Sequence, residues 1–112
     1  MPLAKDLLKD SKVKLVAVVG FPLGSMSSKA KVNEAMDYME HGAHELDMVL
    51  NIGWLRSGDY MAVQEEIRQV KEVVGNNALK VILETCYLTD TEIITACKLA
   101  VNAKADFVKT ST

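Results

Sequence analysis

The chain alternates short strand-like segments with longer helix-like ones, and this order constrains the fold more than any other feature. The strand-like segments are rich in aliphatic and β-branched residues, and they are Val13–Val19, His44–Leu50, Leu79–Glu84 and Ala105–Lys109. Stretches with helical spacing of apolar residues lie between them, and these are Ser27–His41, Asp59–Val74 and Asp90–Asn102. Pro2–Lys9 predicts one more helix ahead of the first strand. Such alternation predicts a parallel sheet joined by right-handed crossovers, with helices packed on it.

Capping residues mark the helix boundaries. Asp59 is placed to cap the second long helix, and Thr89 with Glu92 forms a T-x-x-E capping box for the third. Gly42 and Gly75 stand where the chain must turn left-handed after a helix. These boundaries agree with the apolar spacing, so both patterns predict an α/β fold.

The strand pattern separates two α/β architectures, a small open sheet and a part of a (βα)8 barrel. A strand buried on both faces of an open sheet is usually apolar throughout, whereas here charged residues alternate with apolar ones. Asp47, for example, lies between Leu46 and Met48. In a barrel the outward face meets the helices, and the lumen near the C-terminal rim carries functional groups. The pattern therefore favours a partial (βα)8 TIM barrel, a half-barrel of four parallel strands with flanking helices, in which Asp47, Glu84 and Lys109 point inward.

Composition excludes several classes of protein. Hydrophobic residues make up 49% of the chain and charged residues 25%, which excludes a disordered segment. No apolar run approaches the roughly 20 residues of a membrane span, and the 13 basic and 15 acidic residues leave no net attraction for nucleic acid. The N-terminal sequence is not typical of a secretory signal. We therefore expect Cys86 and Cys97 to be reduced thiols in a cytoplasmic protein.

Lys109 is the candidate nucleophile. A lysine at the end of a strand is unusual, because burial of an ammonium group without a partner is costly. Partial burial favours the neutral amine, which is the form that attacks a carbonyl group to make a Schiff base. Taken alone, Lys109 is more simply a solvated surface lysine. The surrounding sequence, DFVKTST at Asp106–Thr112, reverses that preference.

DFVKTST closely resembles the Schiff-base motif of deoxyribose-phosphate aldolases, which are class I aldolases built on a (βα)8 barrel. Further segments are similar to that family in the same order, and the resemblance covers essentially all 112 residues. These segments are PLAKDLLKDSKVK, VVGFPLGS, HELDMVLNIGWLRSGDY, LKVILETCYLTDTEI and ACKLAV.

The resemblance implies an activity and a set of site residues. The expected reaction is the reversible cleavage of 2-deoxyribose 5-phosphate to glyceraldehyde 3-phosphate and acetaldehyde, with no cofactor or metal. Lys109 matches the lysine that forms the imine, and Asp47 matches the aspartate of a proton relay that also uses water and a second lysine. Thr110 and Ser111 match rim residues beside the imine. Glu84 belongs either to the same polar substrate pocket or to an ion pair with Lys80 in the lumen.

The resemblance also implies which part of the barrel this chain represents. A full barrel takes about 250 residues, so residues 1–112 are expected to form a single half-barrel unit containing family strands three to six. The relay's second lysine, on strand seven, and the glycine-rich phosphate loops of strands seven and eight would lie outside it. The alternative function is therefore a catalytically inactive half-barrel, a fragment or an assembly module. Lys104 stands where the family usually has glycine, at a cost of about 1 kcal/mol if its backbone is left-handed.

An open half-barrel also predicts association. Unpaired strand edges associate readily, and a half-barrel leaves two edges open and the lumen residues Val49, Ile82 and Phe107 uncovered. We expect a homodimer or a higher homo-oligomer, since isologous closure is the commonest way for identical chains to associate.

Two other motifs have competing interpretations. Gly20–Gly24 superficially resembles a phosphate loop, but it matches no known loop pattern and is more simply a turn, with Ser27 or Ser28 capping the next helix. His41 and His44 could form a metal pair, but the simpler interpretation places His41 in the last turn of a helix and His44 at the start of a strand.

The two cysteines also allow two interpretations each. Cys86 is either a reactive thiol at the functional rim or, as we favour, a partly buried structural residue. Cys97 lies on an apolar helix face and is expected in the core.

Overall fold

The computed structural model describes residues 1–112 and contains one four-stranded sheet in which every neighbouring pair of strands is parallel. The strands follow the order β1-β2-β3-β4, and their bounds are Val16–Val19 (β1), Glu45–Val49 (β2), Ala78–Ile82 (β3) and Phe107–Lys109 (β4). The helices are α1 (Pro2–Leu8), α2 (Ser28–Glu40), α3 (Ile52–Ser57), α4 (Tyr60–Val74) and α5 (Asp90–Asn102). A 3₁₀ turn lies at Thr85–Tyr87. The predicted strands and long helices are confirmed, while α3 and the 3₁₀ turn were not predicted.

Strand register places the charged residues on one face of the sheet. Asp47 lies opposite Lys80, and Lys80 lies opposite Phe107. One level higher on the same face, Ile82 lies opposite both Val49 and Lys109. This arrangement confirms the alternation that favoured a barrel over an open sheet.

The opposite face of the sheet packs against the helices. Its side chains include Leu46, Met48, Leu79 and Val81, all fully buried. The helices contribute buried residues at helical spacing, and these include Val63, Ile67, Val70 and Val74 of α4 and Ala96, Leu99 and Ala100 of α5. The core therefore lies between the sheet and one layer of helices, as in the wall of a barrel.

Two of the three lumen residues predicted to be exposed are buried. Val49 and Ile82 have no solvent-exposed surface, whereas Phe107 is 58% exposed. The expectation is wrong for Val49 and Ile82, which lie on the inner strands β2 and β3, where side chains of neighbouring strands flank them on the same face; Ile82, for example, has Val49 and Lys109 beside it. Phe107 lies on β4, which is paired on one side only.

The predicted helix caps have different outcomes. The Thr89–Glu92 capping box is present, with hydrogen bonds of 3.2 and 2.8 Å, and Ser27 Oγ accepts the amide of Ala30 at 3.2 Å. Asp59 is the N-cap residue of α4, as predicted, but its side chain makes no capping hydrogen bond. Its backbone, at φ −79° and ψ 56°, is not in the extended conformation that a capping residue normally adopts.

Left-handed backbone occurs where the sequence predicted it. Gly42 and Gly75 both have positive φ, and so does Lys104, at +69°. Since Lys104 carries a Cβ, its conformation costs about 1 kcal/mol relative to glycine.

None of the helices combines the length and the apolar character that crossing a membrane requires.

Candidate active site

Lys109 and Asp47 meet on the lumen face of the sheet although they are 62 positions apart in the sequence. The Lys109 Nζ donates to Asp47 Oδ2 at 2.5 Å. The Asp47 side chain is only 6% exposed, while that of Lys109 is 32% exposed and can be reached from solvent. The two residues expected to carry the chemistry therefore form one ion pair, which joins the middle of β2 to the end of β4.

Lys80 binds the other oxygen of the same carboxylate. Its Nζ lies 3.3 Å from Asp47 Oδ1 and 2.6 Å from Glu45 Oε2. The other oxygen of Glu45 accepts from Lys14 at 2.6 Å. Four ion pairs thus connect five side chains of alternating charge, from Lys14 to Lys109, and we refer to these five as the lumen charge ladder.

The expected ion pair between Lys80 and Glu84 does not form. Glu84 lies two residues beyond the end of β3, and its backbone is left-handed, with φ +52°. Its side chain therefore no longer follows the alternation of the strand, and Glu84 Oε1 accepts the amide of Thr112 at 3.2 Å instead. Sequence alternation alone misassigned the partner of Lys80, because the strand ends earlier than its apolar pattern suggested.

The segment after β4 lies beside the segment after β3. The Thr85 amide donates to the Thr110 carbonyl at 2.9 Å, and the Leu83 amide donates to the Lys109 carbonyl at 2.9 Å. Thr110 and Ser111 are exposed and Glu84 is half-buried. The three residues expected to contact substrate are therefore brought together at the rim beside Lys109. The left-handed backbone of Glu84, uncommon for a residue with a Cβ, is the kind of conformation found at functional sites.

Electrostatics keep the lower part of the charge ladder ionised. The hydrogen bond to Glu45 raises the pKa of Lys80 above its ordinary value, with a further contribution from Asp47. Hydrogen bonds from Lys14 and Lys80 lower the pKa of Glu45 to about 2. Lys80 is therefore a fixed cation at neutral pH, and its ammonium is not a candidate nucleophile.

Asp106 belongs to the DFVKTST segment but acts at the opposite end of the strands. Its Oδ2 accepts the Leu79 amide at 2.8 Å and the Lys71 ammonium at 2.7 Å. The backbone hydrogen bond from Leu79, together with Lys71, lowers the pKa of Asp106. Asp106 thus fixes the start of β4 against β3 and α4, and so positions Lys109 three residues later.

The Gly20–Gly24 segment packs as a turn, as the simpler interpretation predicted. The Gly20 amide donates to Glu34 Oε2 at 3.0 Å, so it already has a carboxylate as its partner. A Cβ on Gly24 would lie 2.1 Å from the Leu50 carbonyl oxygen. Glycine is therefore required here by the close approach of the turn to the end of β2.

The histidines and cysteines have no shared site. His41 Nδ1 lies 2.8 Å from the Asp37 carbonyl oxygen, and His44 Nδ1 accepts the Leu15 amide at 2.8 Å. No group of three or more His, Cys, Asp or Glu side chains is arranged to hold a metal ion. Cys86 is exposed, so the expectation of a partly buried residue is wrong; it lies in the short 3₁₀ turn rather than against a helix. Cys97 is partly buried against the core.

Comparison with known proteins adds a family to this geometry. The family model described as DeoC/LacD family aldolase matches residues 3–112. The chain belongs to this family. It is 54% identical over 109 residues to the deoxyribose-phosphate aldolase of Streptococcus equi subsp. zooepidemicus, which covers 97% of the chain and 50% of that relative. It is also 54% identical over 116 residues to the deoxyribose-phosphate aldolase of Carboxydothermus hydrogenoformans, covering the whole chain and 51% of the relative.

Solved structures confirm the half-barrel architecture of this DeoC/LacD family member. A protein of Coccidioides immitis superposes with a TM-score of 0.96 at 45% identity, over 99% of the chain and 44% of that protein. The deoxyribose phosphate aldolase of Aeropyrum pernix, described as a tetramer, superposes with a TM-score of 0.82 at 33% identity, over 99% of the chain and 48% of that protein. The chain spans about half the length of the curated relatives it matches. Its fold is therefore the corresponding part of a TIM-barrel aldolase.

Sequence reasoning placed Lys80 in the lumen with the wrong partner, and it missed Glu45 and Lys14 as components of the site. A signal was present, because Glu45 and Asp47 are charged residues at alternate positions of one strand and Lys80 is a charged residue within the next strand along the chain. Only the register shows that Asp47 and Lys80 lie at the same level.

Proposed function

We propose that this chain carries a Schiff-base aldolase site in which Lys109 is the nucleophile and Asp47 is its proton-handling partner. The reaction is the reversible cleavage of 2-deoxyribose 5-phosphate to glyceraldehyde 3-phosphate and acetaldehyde. The observation that carries the proposal is the 2.5 Å contact between Lys109 Nζ, at the end of β4, and Asp47 Oδ2, in the middle of β2. Family membership supports it, because the relatives that match are named deoxyribose-phosphate aldolases.

The chemistry follows from an amine beside a carboxylate. Lys109 gives up a proton, its nitrogen adds to the aldehyde carbon of the open-chain sugar, and water leaves to form a protonated imine. Loss of the proton from the C3 hydroxyl then breaks the C2–C3 bond, and the electron pair moves towards the iminium to give an enamine. Glyceraldehyde 3-phosphate departs. Protonation of the enamine carbon and addition of water release acetaldehyde and the free amine, with Asp47 placed to move protons through water.

Three rim residues are proposed to bind the substrate. Thr110 and Ser111 follow Lys109 directly and are exposed, so their hydroxyl groups can reach a bound aldehyde or its sugar. Glu84 contacts the same terminal segment through the Thr112 amide. A carboxylate and two hydroxyl groups form a suitable set of partners for sugar hydroxyls.

The alternative function is a catalytically inactive half-barrel that acts as an assembly module. It is favoured by the exposed edge strand β4, where Phe107 and Val108 face solvent. We propose that residues 1–112 correspond to barrel strands three to six, and that the open edges associate into a homodimer or a higher homo-oligomer.

The two unpaired cysteines fit a reducing compartment, so we propose a cytoplasmic location.

Trapping with acetaldehyde tests the nucleophile. The chain is incubated with acetaldehyde and sodium borohydride, and its peptides are analysed by mass spectrometry. We expect one ethyl group on Lys109, in excess over the exposed Lys98 and Lys104, and loss of this preference in Lys109→Arg. Labelling spread evenly over the surface lysines would contradict the proposal and favour the inactive module.

Two further measurements address turnover and assembly. We expect turnover of 2-deoxyribose 5-phosphate by residues 1–112 to be well below the roughly 1–1000 s⁻¹ typical of enzymes. The resemblance places the second lysine of the proton relay outside these residues, and catalytic residues that act together lose most of their effect when one of them is removed.

Light scattering during size-exclusion chromatography measures the oligomeric state. A folded species at 12.3 kDa would contradict the proposed association.

A further inference from the structure

Asp47 stands between two lysines that use different oxygens of its carboxylate. Lys109 donates to Oδ2 at 2.5 Å, and Lys80 lies 3.3 Å from Oδ1. Lys80 is directly opposite Asp47 in the parallel register of β2 and β3, whereas Lys109 stands one level higher and two strands away. Lys80 is thus on the strand next to Asp47, whereas the side chain of Lys109 extends across β3 to contact Asp47.

Lys80 is itself held in place from below. Glu45, two residues before Asp47 on the same face of β2, accepts from Lys80 at 2.6 Å and also binds Lys14. Glu84, the other acidic residue expected near Lys80, turns away to the Thr112 amide. The charged groups facing Lys80 are therefore Glu45 and Asp47, and only Asp47 connects it to Lys109.

We propose that Lys80 is a positioning residue for this site, one that holds Asp47 Oδ1 so that Oδ2 is directed at Lys109. The inference rests on the proposed role of Lys109 as nucleophile. A nearly buried carboxylate with a single cationic partner would attract that cation with its full negative charge, because little solvent screens the pair. Because Lys80 also contacts this carboxylate, the negative charge of Asp47 is shared between two ammonium groups rather than directed at Lys109 alone.

Removal of Lys80 should therefore make Lys109 harder to deprotonate. In Lys80→Met, Asp47 has Lys109 as its only remaining cation among the ladder residues. The midpoint of Lys109 titration should then rise by about one pH unit, since an opposite charge at contact distance favours the charged form of an amine. Lys80→Arg keeps the cation and should keep the wild-type midpoint. Lys14→Met is the matched control, because Lys14 contacts Glu45 and not Asp47.

Competitive acetylation measures the midpoint without relying on aldolase chemistry. Acetic anhydride reacts with the neutral amine, and mass spectrometry of the Lys109 peptide gives its reactivity at each pH. Circular dichroism confirms that each variant is folded, and Lys80→Gln replaces Lys80→Met if the methionine variant is not. An unchanged midpoint in the folded neutral variant would overturn the inference.

A double variant separates positioning through Asp47 from a direct effect of charge. In an Asp47→Asn background, Lys80→Met should shift the Lys109 midpoint by less than half as much as in the wild-type background. An equal shift in both backgrounds would overturn the positioning role, since Lys80 would then act on Lys109 directly. If acetaldehyde trapping fails while the Lys109 midpoint still rises in Lys80→Met, the result would count against the proposed function alone.

Discussion

Lys31 of α2 and Glu66 of α4 form an ion pair that is almost completely closed off from solvent. The Lys31 Nζ also donates to the Val49 carbonyl at the end of β2, at 2.9 Å, and Ser28 Oγ donates to Glu66 at 2.7 Å. Burial lowers the pKa of Lys31, and the neighbouring Glu66 opposes this. The pair therefore ties two helices to the strand that carries Asp47.

We predict that Lys31→Met lowers the free energy of unfolding by about 3–5 kcal/mol, because it leaves the Glu66 carboxylate buried without a cation. The double variant Lys31→Met/Glu66→Leu should lose less than the single variant, since no uncompensated charge remains. Urea unfolding followed by circular dichroism measures both. A double variant that is less stable than Lys31→Met would contradict this prediction, because the loss could not then come from the unpaired Glu66 carboxylate.

Acid should destabilise the chain through Glu45. The pKa of Glu45 is about 2 in the folded chain against an ordinary value of 4.5, so folding favours its ionised form. Its contribution to stability is complete above about pH 4.5 and is lost as the pH falls towards 2. Glu45→Gln should make the free energy of unfolding depend less on pH in this window, because the titrating carboxyl group is gone. Lys14→Met should also make this pH dependence weaker, because the hydrogen bond from Lys14 is the main cause of the lowered pKa of Glu45. The same pH slope in all three proteins would contradict this assignment.

The capping box of α5 should contribute measurable stability. Thr89→Ala removes the hydroxyl that accepts the Glu92 amide at 3.2 Å, and should lower the free energy of unfolding by about 1 kcal/mol. Thr91→Ala is the control, because Thr91 is exposed within the same helix and alanine favours helix formation. Thermal unfolding compares the two, and equal effects would indicate that the cap is unimportant.

Lys104 offers a stabilising substitution. Its φ of +69° is strained for a residue with a Cβ, so Lys104→Gly should raise the free energy of unfolding by about 0.5–1 kcal/mol. Lys98→Gly, in the exposed part of α5, should lower it by about 1 kcal/mol, because glycine disfavours helix. Opposite signs in urea unfolding are expected, and a loss of stability in both variants would contradict the strain argument.

The element order was predictable because hydrophobic period and capping residues are local properties. Two short elements were missed. The helix α3 has only six residues and contains Gly53, although Asn51 caps it by accepting the Trp54 amide at 3.0 Å and Gly58 ends it in a left-handed conformation. The periodicity of so short a segment is too weak to be recognised, even when its caps are present.

The sequence by itself determined which side of each strand carries charge, because side chains alternate along a strand. It therefore predicted that Asp47 and Lys109 share the lumen face. Only the tertiary structure decided that they touch, that Lys80 pairs with Glu45 and Asp47 rather than Glu84, and that Lys31 is buried with Glu66. These contacts join residues on different elements, so they depend on strand register and helix packing, which no local pattern along the chain specifies.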